Sequence, residues 1–415
     1  MISDPDEIVF VSISGERYNL QLRNEPESME KLGKLTKRIF QIVFKLNSFF
    51  HLLPIYKSEK GYEVYDKPRQ DALVLLMMSF MCLNCIIQIS GTKVLYLHLT
   101  TISLQTLMHF MGSLMTGLGT CLVVSIYYKK HEAALLLNLT AKYVEMFEKA
   151  DSEDLKKYLW YHHLISIGAF LSAVTVCGSV VTVQIIIAYF FIDESMFVYI
   201  YLPERVKIYF GNPAVWICFV SEAFKLYFSM LLTFTSGAYL VMGTMSMKIW
   251  LIQCLKSHTF EYSMKMYGLI SYYNNIFNSV FRHIFHPIFV LFNLLNTTFF
   301  AYCTLRAYSL TPLLIYLLMP LGFVFQFCLC LFSYLELSYI PILSKKLVQK
   351  CRRQLVWEVT HGSGKTSLRY RSELRMILKN TRIFGVLVGD AGYITPMTPI
   401  AIFNSVITLL LIILT

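Results

Sequence analysis

The residues best placed to do chemistry lie near the end of the chain. Asn404, Thr408, Leu411 and Thr415 recur at i, i+4, i+7 and i+11, one face of a helix, with Ala401 on the same stripe. The positions between them are nearly all Ile, Leu, Val and Phe. A small, polar stripe on a helix otherwise suited to lipid needs a non-lipid neighbour, either another helix or water. Packing through small residues and the lining of an aqueous path both meet that need, and this helix alone fits either.

A second set of groups could contact a small molecule. Gln105, Gln184, Tyr189, Trp216, Glu222, Tyr302 and Tyr316 put amide, aromatic and acidic groups in the outer halves of several apolar stretches, the mixture that lines a pocket between helices. An aromatic belt at the membrane surface accounts for the Tyr and Trp residues without any ligand. Gln105 and Gln184, polar and a turn or more below the surface, are the better candidates. Glu222 and Lys225, at i and i+3 inside an apolar run, read first as an ion pair that neutralises itself. Glu336 with Arg282, His283 and His286 reads as a pairing or snorkelling set at the inner ends of two helices.

Reactive constellations do not stand out. Gly-x-Ser-x-Gly and His-Glu-x-x-His are absent, and Gly364-Lys365-Thr366 has Val359 where a phosphate-binding loop requires Gly. Cys82-Leu-Asn-Cys85 lacks a second ligand pair for a metal. The chain is therefore expected to be no enzyme and to carry no cofactor or metal.

The elements that must position these residues follow from composition. The chain has 415 residues, 56% hydrophobic and 15% charged; with a mean hydropathy of +0.54 it is too apolar for a soluble protein of this size. An all-α polytopic membrane fold is expected, with seven spans at about 72–91, 98–126, 162–192, 213–245, 282–304, 311–338 and 396–415, each near the ~20 residues a bilayer requires or longer. Residues 37–55 are amphipathic and interrupted by Lys45, as in an interfacial helix. Thr395-Pro396 and Thr398-Pro399 suit the cap and first position of the last helix.

Lys and Arg set the orientation. Eleven precede residue 71, six follow the second span, three follow the fourth and eleven precede the seventh, whereas the opposite loops hold only Lys93, Arg205, Lys207 and Arg306. By the positive-inside rule the N-terminus is cytosolic and the C-terminus extracellular. The net charge of +11 then reflects topology and not nucleic-acid binding. No signal peptide is evident, because the acidic start Met1-Ile-Ser-Asp-Pro-Asp-Glu7 lacks a basic n-region. The sequon at Asn138 falls on the cytosolic side and is expected to carry no glycan.

Between the fourth and seventh spans the chain is longer than crossing requires. Tyr239–Leu255, Ser263–His283 and Tyr339–Val359 extend the spans, Leu368–Phe384 has helical periodicity, and together they suggest a cytosolic helical layer with Tyr267, Tyr272, Tyr273, Phe277 and Phe281 in its core. The expected division is a cytosolic region over 1–71, helices 1–4 over 72–245, helices 5–6 with the layer over 246–394, and the last helix over 395–415.

Inverted topology, length, the basic segment before the last span, Ile383-Phe-Gly-Val-Leu-Val-Gly-Asp-Ala-Gly-Tyr-Ile394, and a chain that stops at the last helix resemble the arthropod gustatory and odorant receptor superfamily. The gustatory hallmark in the last helix is Thr-Tyr, five apolar residues, Gln-Phe. Here Thr408-Leu409, then Leu410–Leu414, then Thr415 keep the Thr and the apolar run and replace Tyr and Gln.

The resemblance implies a ligand-gated, non-selective cation channel, a homo- or heterotetramer in the plasma membrane of chemosensory neurons. The last helix would line a central pore, the cytosolic layer would join the subunits, and a pocket in the outer half of each subunit would take a small tastant or odorant. Thr415 would stand at the family's gate-forming Gln. Asp390, just before this helix, would draw cations to the inner mouth or serve as a turn residue. A gustatory receptor is the leading expectation, with an odorant receptor subunit as the alternative. A G-protein-coupled receptor is disfavoured by the charge order and by the absence of Asn-Pro-x-x-Tyr, and a transporter by the lack of a repeat.

Overall fold

The structure, a computed structural model, describes residues 44–59, 61–98, 104–148, 204–256, 260–306, 313–361 and 381–414, together with 38, 41 and 42. The expected third span, with Gln184 and Tyr189, lies outside them. The described chain runs through a hairpin of strands β1 (Ile55–Ser58) and β2 (Gly61–Val64), then α1 (Pro68–His98), α2 (Leu104–Tyr128), α3 (Lys130–Glu148), α4 (Glu204–Phe210), α5 (Asn212–Lys256), α6 (Phe260–Phe281), α7 (Phe285–Arg306), α8 (Leu313–His361) and α9 (Thr398–Leu414).

Among the described residues Pro68–Ile86, Phe285–Arg306 and Met319–Val356 are long and apolar enough to cross a membrane, and Thr398–Leu414 is a shorter apolar helix. The 45 residues of α5 and 49 of α8 make rods of about 70 Å at 1.5 Å per residue, more than twice a ~30 Å hydrocarbon core. Such helices must continue past the bilayer, as the sequence predicted. α2 packs against α1, α5 and α7, α8 joins α5 to α7, and α9 rests on α7 and α8. Thr116 Oγ1 and Ser229 Oγ are 3.2 Å apart across the α2–α5 seam, the kind of interhelical hydrogen bond that holds helices together without a hydrophobic driving force.

The surplus helix forms an aromatic layer. Trp250 of α5 meets Tyr273 of α6 edge to face at 5.0 Å, and Phe277 meets Phe281 edge to face at 5.0 Å, all four fully buried. Close approach is possible because residue 243 is glycine: a Cβ there would stand 2.6 Å from the Phe277 ring. Tyr272 departs from the expected core and is 52% exposed. Lys350 of α8 donates to the carbonyls of Cys254 (3.3 Å) and Leu255 (2.6 Å), capping the C-terminus of α5 with a cation where the helix dipole favours one.

Sequence readings gain detail or change. The amphipathic segment expected over 37–55 is helical over 44–49; Phe44 and the following Leu52, Leu53 and Ile55 are buried, and Asn47 Nδ2 donates to Thr235 Oγ1 at 2.8 Å, which ties the segment to the helix bundle. The β-hairpin that follows was not foreseen; Asn138 holds it by accepting from Tyr62 N (2.7 Å) and donating to Tyr62 O (2.8 Å), so the sequon side chain is committed to protein contacts. The inner charges do not form one set. Glu336 pairs with Lys248 at 2.5 Å, and Arg282 pairs elsewhere.

Candidate functional site

The segment that enters α9 is built to be held. In residues 381–394 alternate apolar side chains turn inward, with Phe384, Val386 and Ile394 buried. These residues are extended, so the helical periodicity read as far as Phe384 does not continue through 381–384. Gly389 (φ +52°) and Gly392 (φ +111°) take the left-handed conformations that fold the strand back, and Leu387 bridges Tyr393. Val388 N donates to Gly392 O (3.0 Å), and Ile394 N to Val386 O (3.0 Å).

Side chains from α6, α7 and α8 then fasten this linker along its length. Tyr267 Oη donates to Arg382 O, and Ser344 Oγ accepts from Phe384 N at 3.1 Å. Asn278, 6% exposed, uses both halves of its amide: Nδ2 donates to Gly385 O and Oδ1 accepts from Leu387 N, each at 2.9 Å. His286 Nδ1 lies 2.7 Å from Leu387 O. Arg282 Nε donates to Gly389 O (2.6 Å) while its Nη2 pairs with the exposed Asp390 carboxylate (2.6 Å). Burial pushes the Tyr267 phenol up to about 12, so its hydroxyl keeps the proton it donates at any cellular pH. Asp390 is thus a turn residue with an arginine partner, whose charge stays in solvent.

The linker delivers a capped helix. Thr398 Oγ1 accepts from Thr395 N at 3.0 Å, and Pro399 sits in the first turn, where its missing N–H costs nothing. In α9 the buried side chains are Pro399, Ile402 and Val406, turned toward α7 and α8, whereas Ala401, Asn404, Thr408 and Leu411 are exposed. At 3.6 residues per turn the centre of the polar stripe lies about 180° from the centre of the buried face. The stripe therefore faces away from its own subunit. Thr408 Oγ1 donates to Asn404 O at 2.9 Å, so the hydroxyl is satisfied on the helix and still presents lone pairs outward. Thr415 lies outside the described residues.

Behind α9 the support is stiff. Gln326 Nε2 of α8 donates to Asn293 Oδ1 of α7 at 2.9 Å, and Asn293 Nδ2 reaches Phe289 O (2.8 Å) and Tyr334 Oη (3.3 Å), all of these side chains being buried. Sequence reading passed over Asn293, Gln326, Asn278 and Arg282 as members of one system. Their only common signal was an amide or charge inside an apolar or aromatic run.

The expected ligand contacts fare differently. Trp216 is 56% exposed on α5, Tyr302 is half-buried on α7, and Tyr316 spends its hydroxyl on Thr304 O at 3.0 Å, tying α8 to α7. Gln105 and Glu222 stand on α2 and α5, with side chains outside the described set. Trp216, Tyr302 and Tyr316 do not line the following cavities. One of about 910 Å³ flanks the linker along α6, between Asn274, Asn278 and Arg382. Another of about 140 Å³ lies behind α9. The third, of about 350 Å³, sits between Phe50 and the Val220–Tyr227 turns of α5.

Two solved structures have this architecture. The insect olfactory receptor OR5 from Machilis hrabei in complex with eugenol superposes with a TM-score of 0.60 at 14% identity, covering 93% of this chain and 99% of that one. The same receptor without eugenol in its description gives 0.56 at 12% identity, covering 94% and 99%. No protein-family model and no curated sequence matches the chain. At such identities the likeness carries the fold: this is the insect olfactory receptor fold over nearly the whole chain.

Proposed function

We propose that the chain is a chemosensory receptor of the insect type, a ligand-gated cation channel in the plasma membrane of sensory neurons, and no enzyme. The observation that carries this is the polar stripe of α9. Asn404, Thr408 and Leu411 face away from the subunit's own packed side, while the linker fixes the helix at its base. A stripe so placed needs water or symmetry-related copies of itself, and four copies around an axis supply both. The positive-inside count, which puts the linker in the cytosol, and the shared fold support the same reading.

In this mechanism the stimulus binds in the outer half of the subunit and shifts the population toward the arrangement with a wider axis, by as much free energy as its preference for that arrangement. The clamped linker holds the inner end of α9 still, so the movement is taken by the outer turns. Gln105, Gln184, Tyr189, Trp216, Glu222, Tyr302 and Tyr316 remain the contacts proposed from sequence. The stimulus is a small organic molecule, a tastant in the leading reading. An odorant is the second reading, favoured by the olfactory neighbours and by the eugenol bound to one of them.

Expression of the chain alone, with a panel of tastants and volatiles applied, tests this. Stimulus-evoked cation entry that survives blockade of G-protein signalling is expected, and its class of activator separates the two readings. Responses abolished by that blockade would overturn the channel.

A further inference from the structure

The cavity of about 140 Å³ behind the first turns of α9 has no part in the mechanism above, yet it lies in the seam between that helix and its support. Its walls are Thr297 of α7, Phe327, Cys330 and Leu331 of α8, and Pro399, Ile400, Ile402, Phe403 and Val406 of α9. Nearly all of this lining is hydrocarbon, aromatic ring or thiol. The one hydroxyl, on Thr297, is spent on Asn293 O at 2.7 Å. A partly open cleft with no free polar partner holds water weakly, and a volume near 150 Å³ lined by apolar side chains is large enough for a benzene ring. Phe327 and Phe403, edge to face at 5.3 Å, add an aromatic wall against which a flat apolar guest can stack.

We infer that this cavity is a binding site for a small apolar molecule of about the size of benzene or toluene, or for the end of a hydrocarbon chain, held between α9 and its α7–α8 support. The site lies at the depth of the apolar spans, so its ligand arrives through the bilayer, not from water. A guest adds contacts to the buried Ile402 and Val406 of α9 and to the neighbouring Phe403, and so favours the helix as it is packed in this structure. The consequence for gating rests on the channel reading; the binding does not.

The test is photolabelling of the full-length protein in nanodiscs with an aryl trifluoromethyl diazirine, adducts being mapped by mass spectrometry. Saturable labelling of Phe327, Cys330, Leu331, Ile402, Phe403 and Val406 is expected, competed by toluene if the site takes small apolar molecules and by added free fatty acid alone if it takes a chain end. Cys330→Phe fills the cavity and should weaken labelling about tenfold, the factor that 1.4 kcal/mol of lost contact gives. Val406→Leu, a milder filling, should reduce it in a protein whose chromatographic profile is unchanged. Labelling that never saturates and spreads evenly over exposed apolar residues such as Leu317, Leu321 and Val324 would overturn the site. Where stimulus-evoked current is measurable, toluene should shift its concentration dependence in wild type and not in Cys330→Phe. A protein that labels as expected and passes no current would retain the site and lose the channel.

Discussion

Replacing Asn278 by alanine isolates the joint between the aromatic helical layer and α9. The substitution removes two hydrogen bonds of 2.9 Å and leaves the Gly385 carbonyl and the Leu387 amide without their partner in a largely buried setting. An orphaned buried backbone group costs about 1–3 kcal/mol, so the pair costs about 2–4 kcal/mol of local stability once partial water entry is allowed. At 1.4 kcal/mol per tenfold, local opening of the linker becomes at least about 30 times more frequent. Native-state hydrogen exchange reads this at the Leu387 amide, with the cap amide of Thr398 as a check on whether loosening reaches α9. Asn278→Asp retains an acceptor for Leu387 N and loses the donor to Gly385 O, and should fall between wild type and Asn278→Ala. Exchange at Leu387 unchanged in Asn278→Ala would refute the idea that this amide holds the linker.

Other expectations follow from particular contacts. Removing one member of the Lys248–Glu336 pair, both largely buried, leaves an uncompensated charge and should lower stability by about 2 kcal/mol in a thermal melt, whereas Lys248→Met with Glu336→Met should regain most of it. Asn138→Ala should expose the β-hairpin to limited proteolysis within residues 55–64, and glycosidase treatment should leave the mobility of the wild-type protein unchanged, because the Asn138 side chain is committed to Tyr62. The Tyr267 phenol titrates higher in the folded protein, near 12, than in the unfolded chain, near 10. Its contribution is therefore complete below pH about 10 and is lost as pH rises toward about 12, so Tyr267→Phe should flatten that alkaline limb of a stability–pH curve.

Much of this architecture was legible because membranes impose coarse rules. Apolar run length gave α1, α2, α5, α7, α8 and α9, and the surplus beyond 20 residues gave the extensions of α5 and α8 into an aromatic layer. The period of Asn404, Thr408 and Leu411 placed the stripe before any packing was visible. What the structure adds is the direction of the stripe, opposite to Ile402 and Val406. Hydropathy could not reveal the linker clamp, because Asn278 and Arg282 act through backbone groups about a hundred residues away. Nor did it separate Arg282, bound to Asp390, from Glu336, bound to Lys248, since composition records charges and not partners. The β-hairpin had a readable signal, Gly61 between two short alternating stretches, that the charge at Lys57, Glu59 and Lys60 masked.

Cysteine accessibility along α9 tests the channel reading most directly. In a background with the exposed Cys328 replaced by serine, single cysteines are placed at Asn404, Thr408, Leu411, Ile402 and Val406, and a charged, membrane-impermeant thiol reagent is applied during stimulus-evoked current. Pore lining by the polar stripe predicts irreversible block at 404, 408 and 411 and none at 402 and 406. Equal modification of both faces, or block confined to 402 and 406, would contradict it.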